Sequence, residues 1–132
     1  MSVGYVESSA LAKLVLDEPE SDPLRAHLRD RDRLVSSELT AVEVGRAARR
    51  ERGDAGLARL RVVVLPIAQL SIDRRVLSSA TELDPPTLRS LDAIHVATAL
   101  ALESPDVVFY SYDRRTIEAA EANGLTVASP GA

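Results

Sequence analysis

The amino-acid sequence predicts a three-layer α/β/α sandwich built on a central parallel sheet, and three observations carry that prediction. Short runs with β character alternate with longer stretches of helical periodicity along the chain, the pattern of a parallel sheet covered on both faces. The run VVFYSY, within Asp106 to Tyr112, is apolar enough to be a buried strand. Leu88 to Leu102, LRSLDAIHVATALAL, is almost wholly apolar from Ala93, with only His95 and Thr98 interrupting it before Glu103. That stretch is too short to cross a bilayer, which takes ~20 apolar residues, so it reads as a helix buried inside the protein.

Each element has its own signal. Val3 to Val6 is the first strand, and Ser8 or Ser9 caps a helix through Leu16 whose apolar face is Leu11, Leu14 and Val15. Pro19 closes that helix. The next starts at Ser21 or Asp22, with Pro23 as its first residue and Leu24 and Leu28 facing inward. Arg33 to Ser36 reads as a strand, Ser37 opens a helix through Arg52, and Gly53 stops it. Asp54 to Arg61 is helical; Val62 to Leu65 suits strand or helix, since β-branched residues favour the former while the pattern continues the latter. Ile67 to Ile72 is a strand, Asp73 caps a helix to Leu83, and Asp84, Pro85 and Pro86 form a rigid linker into the buried helix. After VVFYSY come a helix over Thr116 to Ala122, an Asn123–Gly124 stop and a last strand over Leu125 to Ala128.

Composition narrows the chemistry. With 132 residues and 27% charged residues, one globular domain spanning 1–132 is expected. The absence of cysteine excludes disulfides, thiolate zinc sites and cysteine nucleophiles, so any metal is held mainly by oxygen, which favours Mg²⁺ or Mn²⁺. Net charge is −4, against a general nucleic-acid coat protein. Lys13 is the only lysine, and the arginines include the adjacent pair Arg114 and Arg115. No secretory signal is evident, so a cytoplasmic protein without membrane association is expected.

Four carboxylates stand out by position. Glu7 ends the first strand, Asp113 ends VVFYSY, and Asp92 opens the buried helix. Glu43 lies inside the third helix among Leu39, Val42, Val44 and Ala47, surroundings unlike a solvent face. Each has a structural reading: Glu7 a strand-end charge, Asp113 a helix cap, Asp92 a cap or dipole partner, Glu43 a snorkelling side chain. In a parallel sheet, however, Glu7, Asp92 and Asp113 collect at one edge, where Glu43 can join them. Acids that close repel one another unless a cation is present, and such a pocket suits metal-assisted phosphodiester hydrolysis. Arg114 and Arg115 follow Asp113 directly; arginine suits bidentate phosphate or carboxylate contacts, and the plain alternative is a solvated helix start. His27 and His95 read as structural, the latter as a satisfied core residue.

The segments YVESSALAKLVLDEPES, SSELTAVEVGRAARR, LRSLDAIHVATALAL and FYSYDRRTIEAAEANGL resemble, in order and spacing, the PIN-domain ribonucleases, and among them the VapC-type toxins of bacterial toxin–antitoxin pairs. LDAIH-ATA and SYDRR are the specific signals; Asp54 to Leu83 carries none. The resemblance implies a Mg²⁺- or Mn²⁺-dependent endoribonuclease acting on RNA. It also implies a homodimer and a small antitoxin whose C-terminal segment fills the cleft. The family's acidic motif falls on Glu7, Glu43, Asp92 and Asp113, and its supporting hydroxyl on Ser9 or Ser8.

One position departs from the pattern: Glu7 stands where the family has aspartate. The extra methylene moves the carboxylate by ~1.5 Å, and misplacement of that order can cost ~100-fold in rate. An alternative is therefore a PIN-fold binding module with impaired or lost catalysis. A phosphotransfer receiver or phosphatase with an aspartyl nucleophile ranks last, since it needs an aspartate at the first strand.

Overall fold

The computed structural model describes residues 1–132. Five strands, β1 (Val3–Val6), β2 (Arg33–Ser37), β3 (Ile67–Leu70), β4 (Val107–Tyr110) and β5 (Thr126–Ala128), form one sheet in the order β3-β2-β1-β4-β5. Every pairing is parallel. Six helices connect and cover it: α1 (Ser8–Val15), α2 (Ser21–Leu28), α3 (Glu38–Val63), α4 (Arg74–Thr81), α5 (Ser90–Leu100) and α6 (Arg114–Ala122). None is long and apolar enough to cross a membrane.

Strand alternation splits the core in two, as a three-layer sandwich requires. Val6 and Tyr110 pack with Leu11, Leu24 and Val44 under α1, α2 and α3. Their neighbours Tyr5 and Phe109 face the other way and pack with Val96, Ala99, Ala119 and Ala120 of α5 and α6. The chain moves outward from β1 through β2 to β3, then crosses back to place β4 on the opposite side of β1. The strand order therefore reverses between β1 and β4, where α/β sheets open a crevice beyond their carboxyl ends.

The expected elements form, with adjustments at their ends. Val62 and Val63 stay helical because α3 continues its ladder, Val64 N–H bonding to Leu60 at 3.0 Å. Pro23 is the third residue of α2 rather than the first. The helix α5 is buried from Ala93 to Ala99 apart from the half-buried Ile94, while Leu91 in its first turn is 46% exposed. Its apolar character thus outruns its burial on one side.

Gly53 breaks α3 as expected, with φ 59° and ψ −143°. Segments 38–52 and 54–63 then fold against each other. A side chain at Gly56 would place its Cβ 2.3 Å from the Ala48 carbonyl oxygen, and one at Gly45 would meet Leu60 at 2.9 Å. The first contact is with backbone and cannot be relieved by a rotamer change. Gly56→Ala is expected to cost about 1–3 kcal/mol, the range for overpacking, seen as a lower urea midpoint with an unchanged m-value.

Candidate functional site

Glu7 follows β1 directly and is 3% exposed. It caps α1: its Oε2 accepts from Ser9 N–H at 2.8 Å, from the Ser9 hydroxyl at 2.5 Å and from the Ser111 hydroxyl at 3.1 Å. Burial raises its pKa, against the lowering effect of the Ser9 bonds. The Ser9 hydroxyl in turn accepts from Tyr112 N–H at 2.8 Å, and Ser111 Oγ from Asp113 N–H at 3.2 Å. The ends of β1 and β4 are thereby tied into one polar knot, in line with the strand register Val6–Tyr110.

Asp113 caps α6, its Oδ1 accepting from Arg115 N–H at 3.1 Å. Asp92 occupies the first turn of α5, a helix with no side-chain cap, so the cap reading of Asp92 fails. Carboxylate oxygens of Glu7, Asp92 and Asp113 all lie within 4.8 Å of one another. Burial and then the charge of Asp113 push the Asp92 pKa up. Three helix N-termini, those of α1, α5 and α6, begin at this cluster, and their dipoles offset part of the repulsion.

Glu43 is held apart from these three. Its Oε1 accepts from the Ser8 hydroxyl at 2.6 Å and from His95 Nε2 at 2.7 Å. The Tyr5 hydroxyl lies 2.9 Å from His95 Nδ1. Burial drives the Tyr5 pKa far upward, so Tyr5 stays neutral, and Glu43, an acceptor only, takes its hydrogen bond from Nε2–H. Burial alone would raise the Glu43 pKa, yet the His95 and Ser8 hydrogen bonds outweigh it and hold the carboxyl below its ordinary range. Glu43 Oε2 makes no hydrogen bond to the protein.

The structure thus brings Glu7, Asp92 and Asp113 together, with Ser9 on Glu7, and places Ser8 on Glu43. Arg114 turns away to pair with Glu118 at 3.1 Å and is 91% exposed, whereas Arg115 lines a cavity that reaches Asp92. Sequence reading missed Ser111, which acts across the sheet on a residue 104 positions away. It also missed the contact of the core residue His95 with Glu43, and that Arg89 lines the same cavity as Arg115. Only the position of Ser111, two residues before an acid, hinted at its part.

The donor set suits a hard divalent cation. It is all oxygen, and oxygens across an octahedral Mg²⁺ lie ~4.2 Å apart, close to the span of the cluster. Glu7 Oε2 is saturated by the protein while Oε1 is free of hydrogen bonds. Thr116, fully buried, lies beside Asp92 without the geometry of a full hydrogen bond, and its hydroxyl has no partner. A buried hydroxyl left over beside a carboxylate cluster is one a hydrated cation can satisfy.

Ser9→Ala removes a charge-assisted bond to Glu7 and the acceptor of Tyr112 N–H. It is expected to cost about 2–3 kcal/mol, read by urea denaturation, while Ser129→Ala, whose hydroxyl bonds only to a backbone carbonyl, costs about 1 kcal/mol or less.

Residues 4–122 match the PIN domain family, and the chain belongs to it. It is 42% identical over 130 residues to "Ribonuclease VapC46" of Mycobacterium tuberculosis, covering 98% of this chain and 99% of that protein. It is 44% identical over 131 residues to "Ribonuclease VapC35" of the same organism, covering 96% of each. These likenesses place it in the VapC-type branch of the family. Solved structures agree in fold. VapC20 of M. tuberculosis, a sarcin-ricin loop cleaving toxin, superimposes with TM-score 0.74 at 14% identity, covering 98% of this chain and 100% of that one. DNA-bound VapBC from Salmonella typhimurium gives 0.77 at 14% identity, covering 97% and 98%.

Proposed function

We propose that the chain is a divalent-metal-dependent endoribonuclease acting as the toxin of a type II toxin–antitoxin pair. The observation that carries the chemistry is the convergence of Glu7, Asp92 and Asp113 on one point at the β1–β4 crevice. The ribonuclease assignment is supported by the near-full-length relatives. An antitoxin partner is supported by VapBC assemblies among the structural neighbours. A homodimer of single-domain chains in the cytoplasm completes the reading.

In this reading Glu7, through Oε1, Asp92 and Asp113 hold Mg²⁺ or Mn²⁺. A cation bound there supplies Lewis-acid stabilisation of phosphate charge and an acidified water. Ser9 and Ser111 fix Glu7 by its other oxygen. Glu43, ionised and locked in orientation by His95 and Ser8, uses Oε2 to orient the water that attacks phosphorus as the phosphodiester P–O bond breaks. Activity is favoured over the binding-module reading because Glu7 reaches the cluster despite its extra methylene, its Oε2 absorbed in capping α1.

The decisive experiment is RNA cleavage with Mg²⁺ or Mn²⁺. Wild type is expected to cleave, and Glu43→Gln and Asp92→Asn each to lose ~100-fold or more in kcat; equal rates in all three would exclude catalysis here. Glu7→Asp is expected to gain less than ~10-fold, whereas a gain of ~100-fold would identify the natural chain as attenuated.

Thermal unfolding offers an independent check. With pKa values raised in the folded state, Glu7 and Asp92 hold protons that the unfolded chain releases, so without metal their contribution to stability falls as pH rises through the raised values. Glu43, lowered, works in the opposite sense: its contribution is present above the unfolded value and is lost as pH falls through the folded one. Mn²⁺ must displace the protons of Glu7 and Asp92, so its stabilisation grows with pH. At ~100 times Kd it adds about 2.7 kcal/mol, roughly 10 °C in Tm, near pH 8, with a clearly smaller shift near pH 5.

A further inference from the structure

We propose that Thr116 is a positioning residue of the acid cluster. Its hydroxyl would donate to the Asp92 carboxylate and accept from a water carried by a divalent cation, fixing Asp92 and strengthening cation binding. The choice of a cation rests on the metal reading above; the place of Thr116 rests on the following observations.

Asp92 and Thr116 are each the third residue of a helix, α5 and α6, and both helices begin at the cluster. Thr116 is 0% exposed, and its Oγ1 is one of two buried side-chain polar atoms without a hydrogen-bond partner. The other, Arg31 Nε, lies just before β2, at the opposite end of the sheet from the cluster. Every other buried serine and threonine is bonded: Ser21 and Thr98 to backbone carbonyls, Ser36 to Val6 and Thr40, Ser37 to Leu39 N–H, Ser111 to Glu7.

The fold offers Thr116 two ordinary partners, and it uses neither. A hydroxyl in a helix can bond to the carbonyl four residues back, as Thr81 does to Leu77 and Thr98 to Ile94; Thr116 does not. A side chain at the third position can also return to the N–H of the capping residue, but Asp113 N–H is taken by Ser111 Oγ at 3.2 Å. What remains beside the hydroxyl is Asp92. Burial and then Asp113 raise the Asp92 pKa, and the Thr116 hydroxyl is the first influence that opposes them, although the contact falls short of full hydrogen-bond geometry.

Valine would fill the same space. For the fold alone it would be the better residue, because an apolar group of equal shape leaves no desolvated hydroxyl. The hydroxyl therefore serves something the polypeptide does not supply. One O–H donor and two lone pairs let it hold Asp92 and a water at once. Mg²⁺ and similar cations keep several waters, and groups that orient the ligands around a metal typically change its affinity ~10–100-fold.

The test measures metal binding, not cleavage. Mn²⁺ is titrated into the full chain, free Mn²⁺ is read from its electron paramagnetic resonance signal, and the metal-free proteins are unfolded in urea. Thr116→Val is expected to raise the Mn²⁺ Kd ~10-fold or more, with a metal-free urea midpoint equal to or above that of wild type. Thr116→Ser, which keeps the hydroxyl, should bind Mn²⁺ within ~threefold of wild type. Thr81→Val, the same change on an exposed face of α4, should alter Kd less than ~twofold. An unchanged Kd in Thr116→Val overturns the proposal, as does an equal loss in Thr116→Ser or Thr81→Val. A lowered metal-free midpoint in Thr116→Val makes the residue a structural one and overturns it too. Asp92→Asn separates this from the metal reading. If wild type binds Mn²⁺ and Asp92→Asn does not, the metal reading stands, and an unaffected Thr116→Val overturns the role of Thr116 alone. Wild type that binds no Mn²⁺ overturns the metal reading and the role of Thr116 with it.

Discussion

Crowding of like charge is the constraint on which the rest of this structure turns. Three carboxylates whose oxygens lie within 4.8 Å repel one another strongly in a partly buried crevice. Glu7, 3% exposed, cannot relax by swinging into water. Burial raises proton affinity at Glu7, burial and then the charge of Asp113 raise it at Asp92, and three positive helix ends face the cluster. Hydrogen bonds that fix one oxygen of Glu7 complete the arrangement. The strain left over is what a divalent cation would relieve.

Capping a helix leaves one oxygen of each of these carboxylates uncommitted. Glu7 caps with Oε2 and leaves Oε1; Asp113 caps with Oδ1 and leaves Oδ2. A carboxylate has lone pairs to spare, and the cap holds the second oxygen in place. The topology makes this possible. Adjacent parallel β1 and β4 release Glu7 and Asp113 at the same edge, and α5, running back between β3 and β4, brings Asp92 to that edge at its first turn.

His95 joins the layers. From a helix buried against one face of the sheet it reaches Tyr5 on β1, Ser8 on α1 and Glu43 on α3. Glu43 therefore differs from the other acids. Its charge is already stabilised by hydrogen bonds, and its pKa moves down where theirs move up. A core residue with every polar atom satisfied is also the one that orients a candidate site residue.

The sequence by itself determined the layered α/β architecture, nearly every element, and the membership of Glu7, Asp92 and Asp113 in one edge cluster. Those follow from local periodicity and from where parallel strands must end. It also placed Gly53 as the break in α3, because only glycine takes that backbone conformation readily. Tertiary structure alone decided the partners of each oxygen. Ser111 reaches Glu7 across the sheet, His95 diverts one oxygen of Glu43, Arg114 is spent on Glu118 while Arg89 and Arg115 stay free, and Gly56 marks a close backbone crossing. These are contacts between residues that are distant in sequence or rotamers chosen by their neighbours. No local pattern encodes them, because their energies exist only once the layers have packed.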